Sequence, residues 1–369
     1  MGGKMFKSIV TPGKYYQGKD IVDNLFKYIE FIGDNFAIII DRVVYNFVGK
    51  RIEDSLINSG ASYSVIMFND ESTEAEANRI AGVVKSKNVD GVVGLGGGKV
   101  MDTSKLVSNI CNLPLVVIPT SAASDAPCSA ASVIYKEDGT FVKSSRMKRN
   151  PDVVIVDTMI IAKAPVRLLV AGMGDAFATF YEARACHESG TINYTGGRHT
   201  ESAYALAKLC NEILLKYGSE AKKSVEKKEW SESLEKVTEA NIYLSGVGFE
   251  NNGCAIAHAI YNGMTAVLKP FPVMHGEGVA FGTIVQLVTE YLVSGSWNDD
   301  EWKEVTEFYK SVDLPLTLKD LGVENPSEET LMSIAEATCN SGSNAHKMPF
   351  TVTPEVIYKS LVKINDLFD

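Results

Sequence analysis

Nine consecutive residues, Gly94 to Asp102 (GLGGGKVMD), place four glycines and a lysine between an apolar run and an amphipathic segment. The run before them, Val89 to Leu95, reads as a buried strand, and Val100, Met101, Leu106, Val107 and Ile110 recur at roughly helical spacing. A strand that enters a helix through glycines aims backbone N–H groups at an anion, and the helix N-terminus adds positive partial charge. Gly96, Gly97 and Gly98 would let a pyrophosphate approach the backbone, with Lys99 as a cation beside it. Neither standard phosphate fingerprint is met. Lys99 stands where a dinucleotide fold has its third glycine, and Val100 where a P-loop has Ser or Thr. A phosphate cradle and a ligand-free glycine turn are therefore both open readings of this string.

Two other stretches carry groups suited to a nucleotide. Asp41 ends the apolar run Phe36 to Ile40. A carboxylate at a strand tip can accept hydrogen bonds from an adenosine ribose and repel a 2′-phosphate, which favours NAD over NADP. It serves equally well as a helix cap or turn residue. Thr120 to Ser132 (TSAASDAPCSAAS) is a run of small and hydroxyl residues in which Asp125 is the only charge. Small side chains permit close packing on a flat ligand, and Thr120, Ser121, Ser124 and Ser129 supply hydrogen bonds. The absence of Gly and Lys argues against a simple solvent loop.

Three residues have the chemistry of metal ligands. Asp175 follows Gly-Met-Gly at an expected helix start, His258 lies on an apolar helix, and His275 follows a Pro-rich bend just before another helix. Two neutral imidazoles and one carboxylate suit Zn²⁺ with positions left open, and Fe²⁺ can use the same set. Their separation in the chain gives no support by itself. Singly, each has a plain structural reading: Asp175 as an N-cap, His258 as a core histidine, His275 as a loop residue. His187, His199 and His346 lie in no comparable context, and no Ser-His-Asp or Cys-His constellation gathers around a motif.

These groups need elements to position them. From Phe36 to about Asp157, FAIII, YSVIMF, VDGVVGL, LPLVVIP and VVIV recur with helical segments between them. Runs apolar on both faces imply a parallel sheet covered on two sides, whose ligands bind beyond the C-terminal strand ends. Beyond about Ile161 the grammar becomes helical, as in Ser202 to Tyr217, Leu234 to Ser245, Gly253 to Val267 and Gly278 to Leu292. The reading is an α/β domain over 1–163 and a helical domain over 164–369, with Pro165 opening a helix and chemistry expected in the cleft between them.

The whole-chain numbers are those of an ordinary globular protein. A chain of 369 residues suits two domains, and 45% hydrophobic with 22% charged residues is ordinary for a globular protein. With 36 basic against 46 acidic residues the net charge is −10, which repels nucleic acid and anionic lipid, and no basic run with interleaved aromatics offsets it. Six scattered cysteines without a CxxC pair read as reduced thiols. The start MGGKMFKS lacks the apolar core of a secretory signal, and Phe6 stands where a myristoylation site has Ser or Thr. A cytoplasmic location is expected, with no membrane or nucleic-acid partner.

Taken together, GLGGGKVMDTSK, PTSAASDAPCSAASVIY, GMGDAFATFYEARA, SGVGFENNGCAIAHAIYNGMT and MHGEGVAFG resemble the metal-dependent polyol dehydrogenases, a zinc-dependent group within the iron-containing alcohol dehydrogenase superfamily, and most of all the glycerol dehydrogenases. The likeness runs in order from about Ile9 into the last helices. It implies a dehydroquinate synthase-like fold, with a Rossmann-like α/β domain followed by an all-α domain. It implies Zn²⁺ held by Asp175, His258 and His275, with Asp41, Gly98, Lys99, Asp102, Thr120, Ser129 and Tyr135 facing NAD. Asp125 would meet the substrate. The implied reaction is NAD-linked oxidation of glycerol or another vicinal diol, glycerol giving dihydroxyacetone, in a homo-oligomer that is commonly an octameric ring. In the iron-dependent relatives a histidine follows the metal aspartate by four residues and another follows the first helical histidine by four. Here those positions are Thr179 and Asn262. A phosphorylated-polyol dehydrogenase of glycerol-1-phosphate type, or a dehydroquinate synthase-like lyase, would need a cationic cluster at the metal, for which only Lys269 and Arg184 offer themselves. A silent nucleotide-binding protein would need no metal ligands.

Overall fold

In the computed structural model, which describes residues 6–368, the chain divides into two compact units, each drawing on more than one stretch of sequence. One comprises Thr11–Leu169 and Ser224–Gly246; the other comprises the stretch up to Val10, Val170–Lys223 and the chain from Val247 onward. Met1 to Met5, part of the segment read for a leader, lie outside the described residues.

The first unit is built on a six-stranded parallel sheet. Its strands are β1 (Lys14–Gly18), β2 (Asn35–Ile40), β3 (Ser62–Met67), β4 (Gly91–Gly96), β5 (Leu115–Pro119) and, after a hairpin of β6 (Ala131–Tyr135) and β7 (Phe141–Arg146), β8 (Val153–Asp157). The order is β1-β8-β5-β4-β2-β3. Each of the five apolar runs became a strand. β4, β5 and β8 are buried at every position, as expected of strands covered on both faces. Phe36, Ile38, Ile40, Val93, Leu95, Val116, Ile118, Val153 and Ile155 form one continuous core. Each such side chain contributes about 1.5–3 kcal/mol on burial. From β2 the chain steps outward to β3 and then returns to place β4 on the other side of β2. This reversal leaves a crevice beyond the C-terminal ends of β2 and β4, where α/β sheets bind ligands.

The other unit is helical. Val166–Ser189, directly after Pro165, runs into it, followed by Glu201–Glu226, Ile256–Val267, His275–Ser294, Asp299–Val312, Glu328–Thr338 and Pro354–Phe368. His275–Ser294 is buried almost continuously from Gly276 to Thr289, so it is a central element rather than a surface helix. The expected helix Leu234 to Ser245 is interrupted: helix Glu232–Glu239 passes through a π-helical turn, Ala240–Leu244, into Ser245–Asn252. The expected Gly-Met-Gly turn is absent. Gly172 to Gly174 are helical, and Asp175 lies in the interior of Val166–Ser189, so its N-cap reading falls. Among the described residues no helix is long and apolar enough to cross a membrane.

Candidate functional site

The glycine string divides its labour. A Cβ on Gly94 would meet the Ser104 side chain and one on Gly96 the Val100 side chain, so these two glycines let the helix Gly98–Cys111 pack directly on β4. At Gly97 and Gly98 a Cβ would meet open space. Gly97 is the helix N-cap and Gly98 its first residue, so their N–H groups lie where a helix favours an anion. They line a groove of about 510 Å³ together with Asp41, Arg42, Val43, Phe68, Asp70 and Lys99. Asp41 caps the following turn, its Oδ1 accepting from Val44 N at 2.9 Å, and still borders this groove. Both readings of Asp41 are compatible in one residue. Lys99 Nζ, half exposed, pairs with Glu71 Oε2 at 2.7 Å.

The other expected cofactor residues occupy the floor and sides of this unit. Thr120 N donates to Gly96 O at 3.1 Å, which ties the start of the hydroxyl-rich segment to the end of β4. Asp102 is buried on the helix Gly98–Cys111. Burial lifts its carboxyl from 3.8 to about 6 against the opposing pull of Lys105 and of the Val133 N–H. Ser129 is buried beside the 3₁₀ turn Ala126–Cys128, and Tyr135 ends β6 with its ring edge-on to Phe141.

Residues given no role from the sequence hold the segment Thr120 to Ser132 in place. Lys105, 2% exposed, donates to Ala126 O at 2.7 Å and Ala131 O at 2.6 Å. Asn241 Nδ2 donates to Ala122 O at 3.0 Å, and Ser245 Oγ to Asp125 Oδ2 at 2.8 Å. Asp125 is thus presented in a fixed orientation by a buried hydroxyl. Lys105 closes the motif GLGGGKVMDTSK and Ser245 opens SGVGFENNGCAIAHAIYNGMT, so both were within reach of the sequence; nothing local marked Asn241.

In the helical unit, Asp175, His258 and His275 converge, their ligand atoms all lying within 4.8 Å of one another. Asp175 Oδ1 is 3.4 Å from His258 Nε2 and 3.2 Å from His275 Nε2. Ligands held at about 2.0–2.1 Å around a tetrahedral ion lie about 3.3 Å apart, so the trio fits a divalent ion of that kind. Burial alone would raise the Asp175 carboxyl, but the imidazoles of His275 and His258 outweigh it and hold the acid below the usual carboxylate range. Burial likewise opposes charge on His258, yet Cys254, Glu182 and Asp175 together raise its pKa well above the ordinary value. The site is graded in exposure: the side chain of Asp175 is 1% exposed, that of His258 16% and that of His275 42%. Its open side is therefore at His275, where Tyr261 stands edge-on at 4.6 Å.

Glycines bring the three ligand helices this close. A Cβ on Gly276 would collide with the Ala171 carbonyl, one on Gly174 with the Gly276 carbonyl, and one on Gly282 with the Ala257 carbonyl. Buried Gln286 then links two of these contacts, accepting from Ala257 N at 3.3 Å and donating to Tyr181 O at 3.1 Å. Thr179 packs near Gly248, and Asn262 is exposed on the far part of its helix. Glu182, fully buried and two turns beyond Asp175 on the same helix, accepts from His258 Nδ1 at 2.7 Å. The signal for it was available as a second carboxylate on one face of an apolar helix.

With this geometry in hand, the comparisons are decisive about kinship. Residues 12–158 match the family described as iron-containing alcohol dehydrogenase. The chain is 42% identical over 358 residues to the glycerol dehydrogenase of Citrobacter freundii, covering 97% of each protein. It belongs to the glycerol dehydrogenase branch of that family. It is also 39% identical over 363 residues to the glycolaldehyde reductase of Halobacterium salinarum, covering 98% of this chain and 97% of the relative. The crystal structure of glycerol dehydrogenase from Schizosaccharomyces pombe matches with a TM-score of 0.91 at 34% identity, covering 98% of this chain and 91% of that one. The expected fold, a Rossmann-like sheet followed by helices in the dehydroquinate synthase-like manner, is the one observed. The protein is an oxidoreductase of this family.

Proposed function

We propose that the protein oxidises glycerol, or a related vicinal diol, to the corresponding hydroxyketone, dihydroxyacetone in the case of glycerol, with NAD⁺ as hydride acceptor and Zn²⁺ as its metal. The convergence of Asp175 Oδ1 with the Nε2 atoms of His258 and His275 carries this reading. Kinship with glycerol dehydrogenases supports the substrate. Asp175, His258 and His275 would hold the ion, which would supply Lewis acidity toward a substrate hydroxyl. The residues do the rest. One carboxylate and two neutral imidazoles leave a divalent ion with net positive charge, and the exposed side of His275 admits a small polar molecule. Asp125, held by Ser245, offers an oriented acceptor for a substrate hydroxyl. Gly97, Gly98 and Lys99, which line one groove with Asp41, receive the pyrophosphate and Asp41 the ribose; Gly96, Asp102, Thr120, Ser129 and Tyr135, in the same unit, complete the proposed cofactor-binding set. The three-ligand set, with Thr179 and Asn262 in place of further histidines, supports zinc over iron.

The test is the appearance of NADH absorbance on adding glycerol, 1,2-propanediol or butanediol to Zn²⁺-loaded protein. His258→Ala is expected to lose at least about 10³-fold in kcat/KM together with its bound zinc. Full activity of that variant in chelator-treated buffer overturns the reading. The glycolaldehyde reductase relative supports a second reading, reduction of a 2-hydroxyaldehyde with NADH at the same site; comparing glycolaldehyde with dihydroxyacetone at equal concentration separates the two. A phosphorylated-polyol activity is disfavoured because Arg184 is already engaged by Glu290 and Glu301 at 2.8 and 2.5 Å. The reading includes a cytoplasmic homo-oligomer, in accord with the family resemblance.

A further inference from the structure

Neutral imidazole has one protonated nitrogen and one lone pair, and a ligand histidine is useful only if the lone pair faces the ion. For His258 the nitrogen facing Asp175 is Nε2. What fixes this choice lies on the other side of the ring. Glu182 is 0% exposed: Oε1 accepts from Ala255 N at 2.8 Å and His258 N at 2.9 Å, and Oε2 lies 2.7 Å from His258 Nδ1. With Nε2 turned to an ion by its lone pair, Nδ1 carries the single ring hydrogen, and the Glu182 side chain lies where an acceptor for it is needed. The two backbone bonds lock the carboxylate to the first turn of the helix Ile256–Val267, so the acceptor and the ring it orients move as one body.

We infer that Glu182 is a positioning residue, setting the tautomer and rotation of His258 so that Nε2 is the metal-ligating atom. The inference rests on the proposed metal centre and adds a residue outside the ligand trio. A competing arrangement uses the same ring: Glu182, Cys254 and His258 also present ligand atoms within 4.8 Å of one another. The two arrangements exclude each other at Nδ1, which cannot both donate to Glu182 and ligate an ion. The saturation of Glu182 Oε1 by two backbone donors favours the positioning role.

Glu182→Gln, set against Cys254→Ser and the ring-nitrogen signature of His258, separates these possibilities. Its amide oxygen can keep both backbone N–H groups while its NH₂ faces Nδ1, which turns Nδ1 into an acceptor and moves the ring hydrogen to Nε2. The first measurement is Zn²⁺ affinity of the full-length protein by competition with a chromophoric chelator, alongside thermal unfolding of the zinc-free protein. The second is the ¹⁵N signature of His258 in the zinc-loaded wild type. The expected result is a 10- to 100-fold loss of Zn²⁺ affinity in Glu182→Gln with zinc-free unfolding little changed, about the effect of removing an outer carboxylate from a ligating histidine. A protonated Nδ1 is expected in the wild type. Affinity within twofold of wild type overturns the inference, as does a comparable loss of affinity in both Cys254→Ser and Glu182→Gln with a metal-bound Nδ1 in the ¹⁵N spectrum, which would place the ion among Glu182, Cys254 and His258. Wild-type protein that takes up no Zn²⁺ at the trio overturns the metal-centre reading itself, and the inference with it.

Discussion

Asp102 shows how one residue can carry a cost that the fold tolerates for position. Its carboxyl is buried on the helix after the glycine string, with Lys105 Nζ 3.9 Å away and itself committed to two backbone carbonyls. The pKa is held at about 6 instead of 3.8, so the folded protein binds that proton more tightly than the unfolded chain does. The resulting stabilisation is full below about pH 4 and is lost as pH rises through about 6. A rise of about two units corresponds to about 3 kcal/mol between the two limits. Asp102→Asn, neutral at every pH, is therefore expected to gain stability over wild type by up to about 3 kcal/mol on going from pH 4 to pH 7.5. Denaturant unfolding of both proteins at those two pH values checks this; a constant difference would show that Asp102 titrates as an exposed acid does.

At the scale of elements, the convergence of Asp175, His258 and His275 depends on helix contacts too close for any side chain. Gly276, directly after His275, has the Ala171 carbonyl where its Cβ would be, and Ala171 lies one turn before Asp175. Gly276→Ala must push His275–Ser294 away from Val166–Ser189 and thereby separate His275 from Asp175. Overpacking of this kind costs about 1–3 kcal/mol or more. The expected outcome is a destabilised protein with weaker Zn²⁺ uptake, read by thermal unfolding with and without Zn²⁺. Wild-type stability and uptake in this variant would show that the helices can part without disturbing the site. Gly174 and Gly282 make the same argument from neighbouring turns. The motifs GMGD and HGEG are thus packing motifs as much as ligand motifs.

At the scale of the molecule, the homo-oligomer proposed from the family resemblance is open to a direct test. Size-exclusion chromatography with light scattering is expected to give a mass about eight times that of the chain. A fully active monomer or dimer would remove the ring from the proposal. Legibility at this scale was uneven. The five interior strands were readable because strands buried on both faces must be apolar throughout. β1, with Lys14 and Gln17 at the sheet edge, and the hairpin β6–β7, with its mostly exposed second strand, carry weaker patterns and went unread. The π-helical turn Ala240–Leu244 was invisible because its side-chain pattern is that of an ordinary helix.

By itself the sequence determined the alternating sheet-forming half, the helical remainder, the glycine-rich strand-to-helix turn, and the identity of the residues able to hold a metal. These are local properties: periodicity, turn chemistry and side-chain type act within a few residues. Only the tertiary structure decided that Asp175, His258 and His275 meet, because positions far apart in the chain are brought together by helix packing that spacing does not encode. It also decided which glycines pack and which open to a ligand, and it placed Glu182 behind His258. A burial-driven fold fixes such relations through shape and the need to satisfy every buried polar group, and neither can be counted along the chain.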